Sequence, residues 1–190
     1  MQIGLFFGSF NPIHSGHLIM ANHILNETQL KKVWFVVSPK NPFKSENTLL
    51  DEYNRLHLVR LAVEDDSRFK ASDIEFHLSK PSYTIHTLMH LEEKYPDHEF
   101  SVIMGSDSFQ NFSKWKNYET IIKNHPIYVY KRPGFEIKNT LKAKLEIIET
   151  PLLQISATKI RQLVKEKKSI RYLVPDKVME EIEKAGYYRK

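Results

Sequence analysis

An α/β fold built on a parallel sheet is predicted by three features of the chain. Short runs rich in aromatic and β-branched residues, such as Gln2-Ile3-Gly4-Leu5-Phe6-Phe7 and Lys32 to Val37, lack the polar alternation of a half-exposed strand, as burial on both faces requires. Between them come runs with apolar residues at helical spacing. The turns joining the two carry glycine, serine or proline. Five or six strands alternating with helices in this way specify a Rossmann-like parallel sheet with helices on both faces and right-handed crossovers.

The first strand, Gln2 to Phe7, leads into Gly8-Ser9-Phe10-Asn11-Pro12-Ile13-His14-Ser15-Gly16-His17. A helix is expected from Leu18, with Leu18, Ala21 and Leu25 on its apolar face and Met20 and Ile24 widening it. Strand, glycine-bearing turn and helix start together aim backbone N–H groups at an anion. Gly8 is expected to let a ligand approach the main chain, and Gly16 to relax the turn. His14 and His17, three residues apart, can turn two imidazoles toward one phosphate.

Lys32 to Val37 is the second strand, and the proline-punctuated Ser38 to Lys44 leaves its carboxyl end, the ligand side of an open parallel sheet. A second helix is expected over Leu49 to Val63, with Leu56, Val59 and Val63 as its core positions, and a strand over Phe69 to Leu78. Lys80-Pro81-Ser82-Tyr83-Thr84 opens the next helix, with Ser82 as its N-cap and Ile85, Leu88, Met89 and Leu91 as its core face. Such a start suits a carboxylate. His86 and His90 are spaced like a helical metal pair, but Thr87 stands where an acid would be needed, so no metal site is assigned.

Glu99 to Met104 is the third strong strand, followed by Gly105-Ser106-Asp107-Ser108. Asp107 can cap a helix there, or hold a ribose hydroxyl or a substrate-bound cation. Trp115 sits among polar and charged residues, which fits an exposed stacking platform. Pro126 to Lys131, ended by Arg132-Pro133-Gly134, and Leu145 to Glu149 supply the last strands; Phe135 to Lys144 between them is expected to be a loop with a short helix. Ser156 is placed as the N-cap of a helix whose first turn carries Thr158 and Arg161, a second anion site with a guanidinium added. A helix over Val174 to Gly186 closes the chain, with Pro175 near its start and Gly186 past its end.

Composition limits the function classes. At 190 residues, 41% hydrophobic and 27% charged, the chain is expected to be one soluble globular domain, or one domain with a small appendage. It has no cysteine, which excludes disulfides, thiolate metal sites and cysteine nucleophiles and fits a reducing compartment. No apolar run approaches spanning length and no export signal is visible, so the expectation is a cytoplasmic protein with no membrane partner. The net charge of +5 lies in residues 156–190, where ten Lys/Arg face five Asp/Glu. That excess fits a solvated face, an RNA-binding patch or a wall for polyphosphate. The anion motif within it favours polyphosphate, and the aromatic platforms on exposed strands that an RNA binder needs are not found, so no nucleic-acid partner is expected.

Gly8-Ser9-Phe10-Asn11-Pro12-Ile13-His14-Ser15-Gly16-His17 resembles the G-x-F-x-P-x-H-x-G-H signature of the HxGH nucleotidyltransferase superfamily. Pro81-Ser82-Tyr83-Thr84, Gly105-Ser106-Asp107, Trp115, Lys131-Arg132-Pro133-Gly134 and Ile155-Ser156-Ala157-Thr158-Lys159-Ile160-Arg161 follow in the order found in bacterial nicotinic acid mononucleotide adenylyltransferases. The chain departs from that family at Phe7, where a glycine is common, and at Phe43-Lys44, where a His-Lys pair is common.

The resemblance implies transfer of AMP from ATP to nicotinic acid mononucleotide, giving nicotinic acid adenine dinucleotide and pyrophosphate in NAD biosynthesis. It implies His14 and His17 as catalytic residues. ATP would be bound by Gly8, Ser9, Phe10, His14, His17, Gly105, Asp107, Ser156, Thr158 and Arg161. Nicotinic acid mononucleotide would be bound by Ser9, Lys44, Tyr83, Thr84, Trp115 and Arg132. Mg²⁺ would be carried in on ATP. Residues 1–190 would form one nucleotidyltransferase domain, with 156–190 completing the ATP site, and a homo-oligomer is compatible with the sequence. The alternatives are another HxGH adenylyltransferase, with nicotinamide mononucleotide or phosphopantetheine as acceptor, and a basic module that binds nucleotide or RNA without catalysis.

Overall fold

The computed structural model describes residues 1–39, 49–132, 134–149 and 154–189. Six strands form one sheet: β1 (Gln2–Gly8), β2 (Lys32–Val37), β3 (Phe69–Ser72), β4 (Glu99–Gly105), β5 (Ile127–Tyr130) and β6 (Leu145–Ile148). Their order is β3-β2-β1-β4-β5-β6 and every pairing is parallel. The order therefore reverses between β1 and β4, where the loops leaving two adjacent strands part to opposite faces and open a crevice.

Helices α1 (Ser15–Glu27), α2 (Glu52–Val63), α6 (Ala157–Lys165) and α7 (Asp176–Ala185) cover one face of the sheet, and α3 (Thr84–Lys94), α4 (Ser106–Phe109) and α5 (Tyr118–Asn124) the other. The strands divide accordingly. Val33, Phe35 and Val37 enter the first core, while Trp34 and Val36, like Ile3 and Leu5, enter the second. Two buried layers are what unalternating apolar strands require.

Several expectations need correction. Helix α1 begins at Ser15 rather than Leu18, so His17 lies inside its first turn and His14 is its N-cap. Strand β3 stops at Ser72, and a 3-10 turn over Ile74–His77 replaces its expected second half. The N-cap of α3 is Tyr83, because the Ser82 hydroxyl is drawn to the Glu75 carboxylate instead. Met89 is 60% exposed, so the core of α3 is Ile85, Thr87, Leu88 and Leu91. Phe135 to Lys144 holds no helix; reciprocal hydrogen bonds between Asn139 and Ala143 fold it into a turn. Helix α5, unforeseen in the polar Lys116 to Asn124, is short and anchored by the buried Ile121.

Candidate active site

Two loops leave the central strands at the reversal. In the β1–α1 loop, Phe10 takes a φ of 43° and turns its ring beneath Gly8, where an added Cβ would lie 2.8 Å from it. The space that a side chain at position 8 would need is thus filled by Phe10. Phe10 is 2% exposed, and its ring meets His17 edge-on at 5.1 Å. His14 and His17 stack, with ring centroids 3.7 Å apart and planes 23° from parallel. Gly16 makes room for this: a Cβ there would sit 3.1 Å from His14 Nδ1.

The two imidazoles have different electrostatics. His17 Nδ1 accepts the backbone N–H of His14 at 3.2 Å, so a neutral His17 carries its proton on Nε2. His14 is 5% exposed and its Nδ1 is buried without a hydrogen-bond partner among the described residues. Burial first, and the Arg132 guanidinium second, bring its pKa down from the ordinary 6.5 to about 4.

The second loop, β4–α4, supplies Gly105, Ser106 and Asp107. Asp107 does not cap a helix; its carboxylate pairs with Arg132 at 3.3 Å. A Cβ on Gly105 would lie 2.4 Å from Asp107 Oδ1 and 3.0 Å from Arg132 Nε, so this glycine lets both charged groups lie against the strand end. Arg132 is held further by its N–H to Ser106 Oγ at 2.9 Å and by the Tyr130 hydroxyl at 3.3 Å. It adjoins the histidine corner, although the sequence assigned it only to the acceptor side.

The start of α6 docks on the first loop. Ser156 is its N-cap, accepting the Lys159 N–H at 3.2 Å. Arg161 donates from Nη1 to the Asn11 carbonyl at 2.7 Å and from Nη2 to Thr158 Oγ1 at 3.4 Å. The segment before α7 completes the join: Leu173 O accepts the Ser15 N–H at 2.8 Å, and Tyr172 O accepts the Ser15 hydroxyl at 3.1 Å. The α6 start and the segment before α7 are therefore both fastened to the β1–α1 loop and the head of α1.

A further wall forms where α3 begins. Thr84 and Ile85 head the helix, so their N–H groups lack carbonyl partners within it. Lys116 Nζ lies 4.6 Å from the centre of the Tyr83 ring, which brings the Trp115–Lys116 segment against the start of α3. Trp115 is half-buried, with Phe112 4.9 Å away, and is not fully exposed as its polar neighbours imply. Ser9 contributes its carbonyl to Arg55 at 2.6 Å. Lys44 and Phe43 lie outside the described residues, and Phe7 packs part-buried on the α3 side of the sheet.

Two residues of this region escaped the sequence reading. Arg55 is fully buried on α2 and, among the described residues, donates only to backbone carbonyls, those of Leu50, Ser9, Ser38 and Pro39. Its signal was its position beside Leu56 and one turn before Leu58 and Val59, on the buried arc. Glu75 is 3% exposed among hydroxyls and left no comparable signal.

A family model described as Cytidylyltransferase-like matches residues 5–163. A Flavobacterium psychrophilum protein named "Probable nicotinate-nucleotide adenylyltransferase" is 52% identical, the match covering 100% of both chains. A Bacteroides thetaiotaomicron protein of the same name is 46% identical over 96% of this chain and 91% of its own. Among solved structures, Plasmodium falciparum nicotinic acid mononucleotide adenylyltransferase complexed with NaAD superposes with a TM-score of 0.82 at 23% identity, covering 98% of this chain and 97% of that one. At that identity the likeness is one of fold.

Proposed function

The chain belongs to the cytidylyltransferase-like family and, within it, to the nicotinate-nucleotide adenylyltransferases, and we infer that it transfers AMP from ATP to nicotinic acid mononucleotide, releasing pyrophosphate and forming nicotinic acid adenine dinucleotide for NAD biosynthesis. The observation that carries this reading is the hydrogen bond from Arg161 to the Asn11 carbonyl. It fastens the α6 start to the histidine loop, so that one triphosphate can meet imidazoles and guanidinium together.

The attacking group is a phosphate oxygen of the acceptor, ionised at neutral pH, so no general base and no covalent intermediate is needed. It attacks the α-phosphorus of ATP while pyrophosphate departs on the opposite side, and the rate comes from alignment and charge neutralisation. His17, its proton on Nε2, donates to the α-phosphate as charge builds, and His14 supports it from its stacked position. Ser156, Thr158 and Arg161 hold the β- and γ-phosphates. Gly8, Ser9 and Phe10 form the floor, and Gly105 and Asp107 border the nucleoside. Mg²⁺ belongs to the substrate as its ATP complex, held by the phosphate oxygens.

On the acceptor side, the N–H groups at Tyr83–Thr84 meet the nicotinate carboxylate and Trp115 meets the pyridine ring, with Ser9, Lys44 and Arg132 toward its ribose phosphate. A cytoplasmic site of action belongs to the same reading; among the described residues no helix is long and apolar enough to cross a membrane. On this reading residues 156–190 complete one catalytic domain, and the core that Ile160, Val174, Val178 and Ile182 share with Phe6 and Phe35 supports it.

The test is pyrophosphate release from MgATP with nicotinic acid mononucleotide, nicotinamide mononucleotide and phosphopantetheine in parallel. The first should be consumed fastest and the last not at all. Turnover of phosphopantetheine at the highest rate, or of none of the three, would overturn the assignment.

A further inference from the structure

Glu75, in the 3-10 turn after β3, is buried, and an ionised carboxylate away from water is costly unless its oxygens are hydrogen-bonded. Here they are. Oε2 accepts the Ser82 hydroxyl at 3.0 Å and Oε1 the Thr87 hydroxyl at 3.0 Å, and the Ser38 side chain faces the same carboxylate closely enough to favour its charged form. Burial pushes this carboxyl up from its ordinary range, and the three hydroxyls pull it back.

Those hydroxyls come from places that matter. Ser82 and Thr87 bracket the start of α3, whose N-cap Tyr83 makes no side-chain cap of its own. Glu75 thus supplies from outside the helix a tie across its first turn. Ser38, at the exit of β2, belongs to the other half of the site: its N–H donates to Gly8 O at 2.9 Å, and its carbonyl accepts Arg55 Nη1 at 2.8 Å. The same Nη1 reaches Ser9 O at 2.6 Å. Hydrogen bonds thus join Ser9 through Arg55 to the Ser38 backbone, and Glu75 joins the side chains of Ser82 and Thr87 at the first turn of α3 while facing Ser38.

We propose that Glu75 is a positioning residue for the acceptor: by holding Ser82 and Thr87 at once it fixes the α3 start to the turn that follows β3, on the sheet that also carries the histidine loop. The distance between the two ends of the acceptor, its ring carboxylate and its attacking phosphate, is then matched by the distance between the two sites that receive them. This rests on the reading of Tyr83–Thr84 as the carboxylate site. Glu75 touches no reacting atom. Its loss therefore acts on acceptor binding and leaves the ATP corner, built by α6, unaltered.

The test is steady-state kinetics of Glu75→Ala and Glu75→Gln, with thermal unfolding followed on the same samples. Glu75→Ala should raise the KM for nicotinic acid mononucleotide roughly tenfold while the KM for ATP stays within about twofold. Glu75→Gln, whose amide can still bond the hydroxyls, should return the acceptor KM to within about threefold of the wild type. An acceptor KM unchanged in Glu75→Ala, an equal rise for both substrates, or no rescue by Gln would overturn the proposal. Should Glu75→Ala not fold, Ser82→Ala combined with Thr87→Val removes two of the ties and must show the same selective rise. Wild-type enzyme assayed with nicotinamide mononucleotide separates the two claims. Equal use of both acceptors would remove the carboxylate reading, whereas clear discrimination with an unmoved Glu75→Ala KM would remove only the role of Glu75.

Discussion

His14 is a histidine that the fold keeps uncharged. Folded, it takes up a proton only near pH 4, because burial and the Arg132 charge both oppose the imidazolium; unfolded, it does so near pH 6.5. The unfolded chain therefore binds the extra proton between those values, and the stability present above pH 6.5 is lost as the pH falls toward 4. Wild type should lose about 2 kcal/mol more than His14→Asn between pH 7 and pH 4.5 in urea unfolding, and equal losses would contradict the buried neutral ring. His17 differs, since its proton on Nε2 is chemically useful. His17→Ala should lower kcat on the order of a hundredfold or more with the folded state retained, as for loss of one transition-state donor. The pair itself was legible in the sequence, from its spacing after a strand and glycine. Its division of labour was not, because stacking, burial and the approach of Arg132 are tertiary facts.

At the scale of elements, the chain announces what is periodic and conceals what is held by side-chain networks. The strands β1, β2 and β4 could be read almost to the residue because doubly buried strands are unbroken apolar runs. The end of β3 could not, since Ile74 continues the apolar pattern while Ser72, Asp73 and Glu75 redirect the backbone through local hydrogen bonds. The cap at Ser156 was read correctly and the one at Ser82 was not; a serine before a helix can bond the helix or a neighbouring acid, and only the fold decides. Helix α2 hides the largest cost. Arg55→Met would leave the carbonyls of Leu50, Ser9, Ser38 and Pro39 without their donor, and should lower stability by about 3–5 kcal/mol, seen as a large fall in the unfolding midpoint. By contrast Ser156→Ala removes one cap and should cost about 1 kcal/mol, with the KM for ATP raised more than that for the acceptor.

Across the whole molecule, the crevice follows from strand order, since adjacent parallel strands whose crossovers diverge must leave their carboxyl ends uncovered. The sequence supports parallel strands with helices between them; the order β3-β2-β1-β4-β5-β6 depends on pairings between distant segments that no local pattern records. The same long-range character decides what α7 is. It could be a detachable helix or part of the core. Val178 is 0% and Ile182 1% exposed, and both lie in the cluster that contains Phe35 and Leu56. Burial of two such side chains is worth about 3–6 kcal/mol, against a total stability for a domain of about 5–15 kcal/mol. A chain ending at Val174 retains Ser156, Arg161 and the carbonyls of Tyr172 and Leu173 that hold Ser15, yet loses that burial. It should therefore unfold at a much lower temperature, and the full chain should show a single transition in which far-UV circular dichroism and tryptophan fluorescence coincide. Trp34 and Trp115 lie in the second core, across the sheet from α7, so a fluorescence transition that ignored its removal would mean that the two layers do not fold as one. An unchanged midpoint in the shortened chain would make α7 an appendage and leave the ATP corner resting on α6 alone.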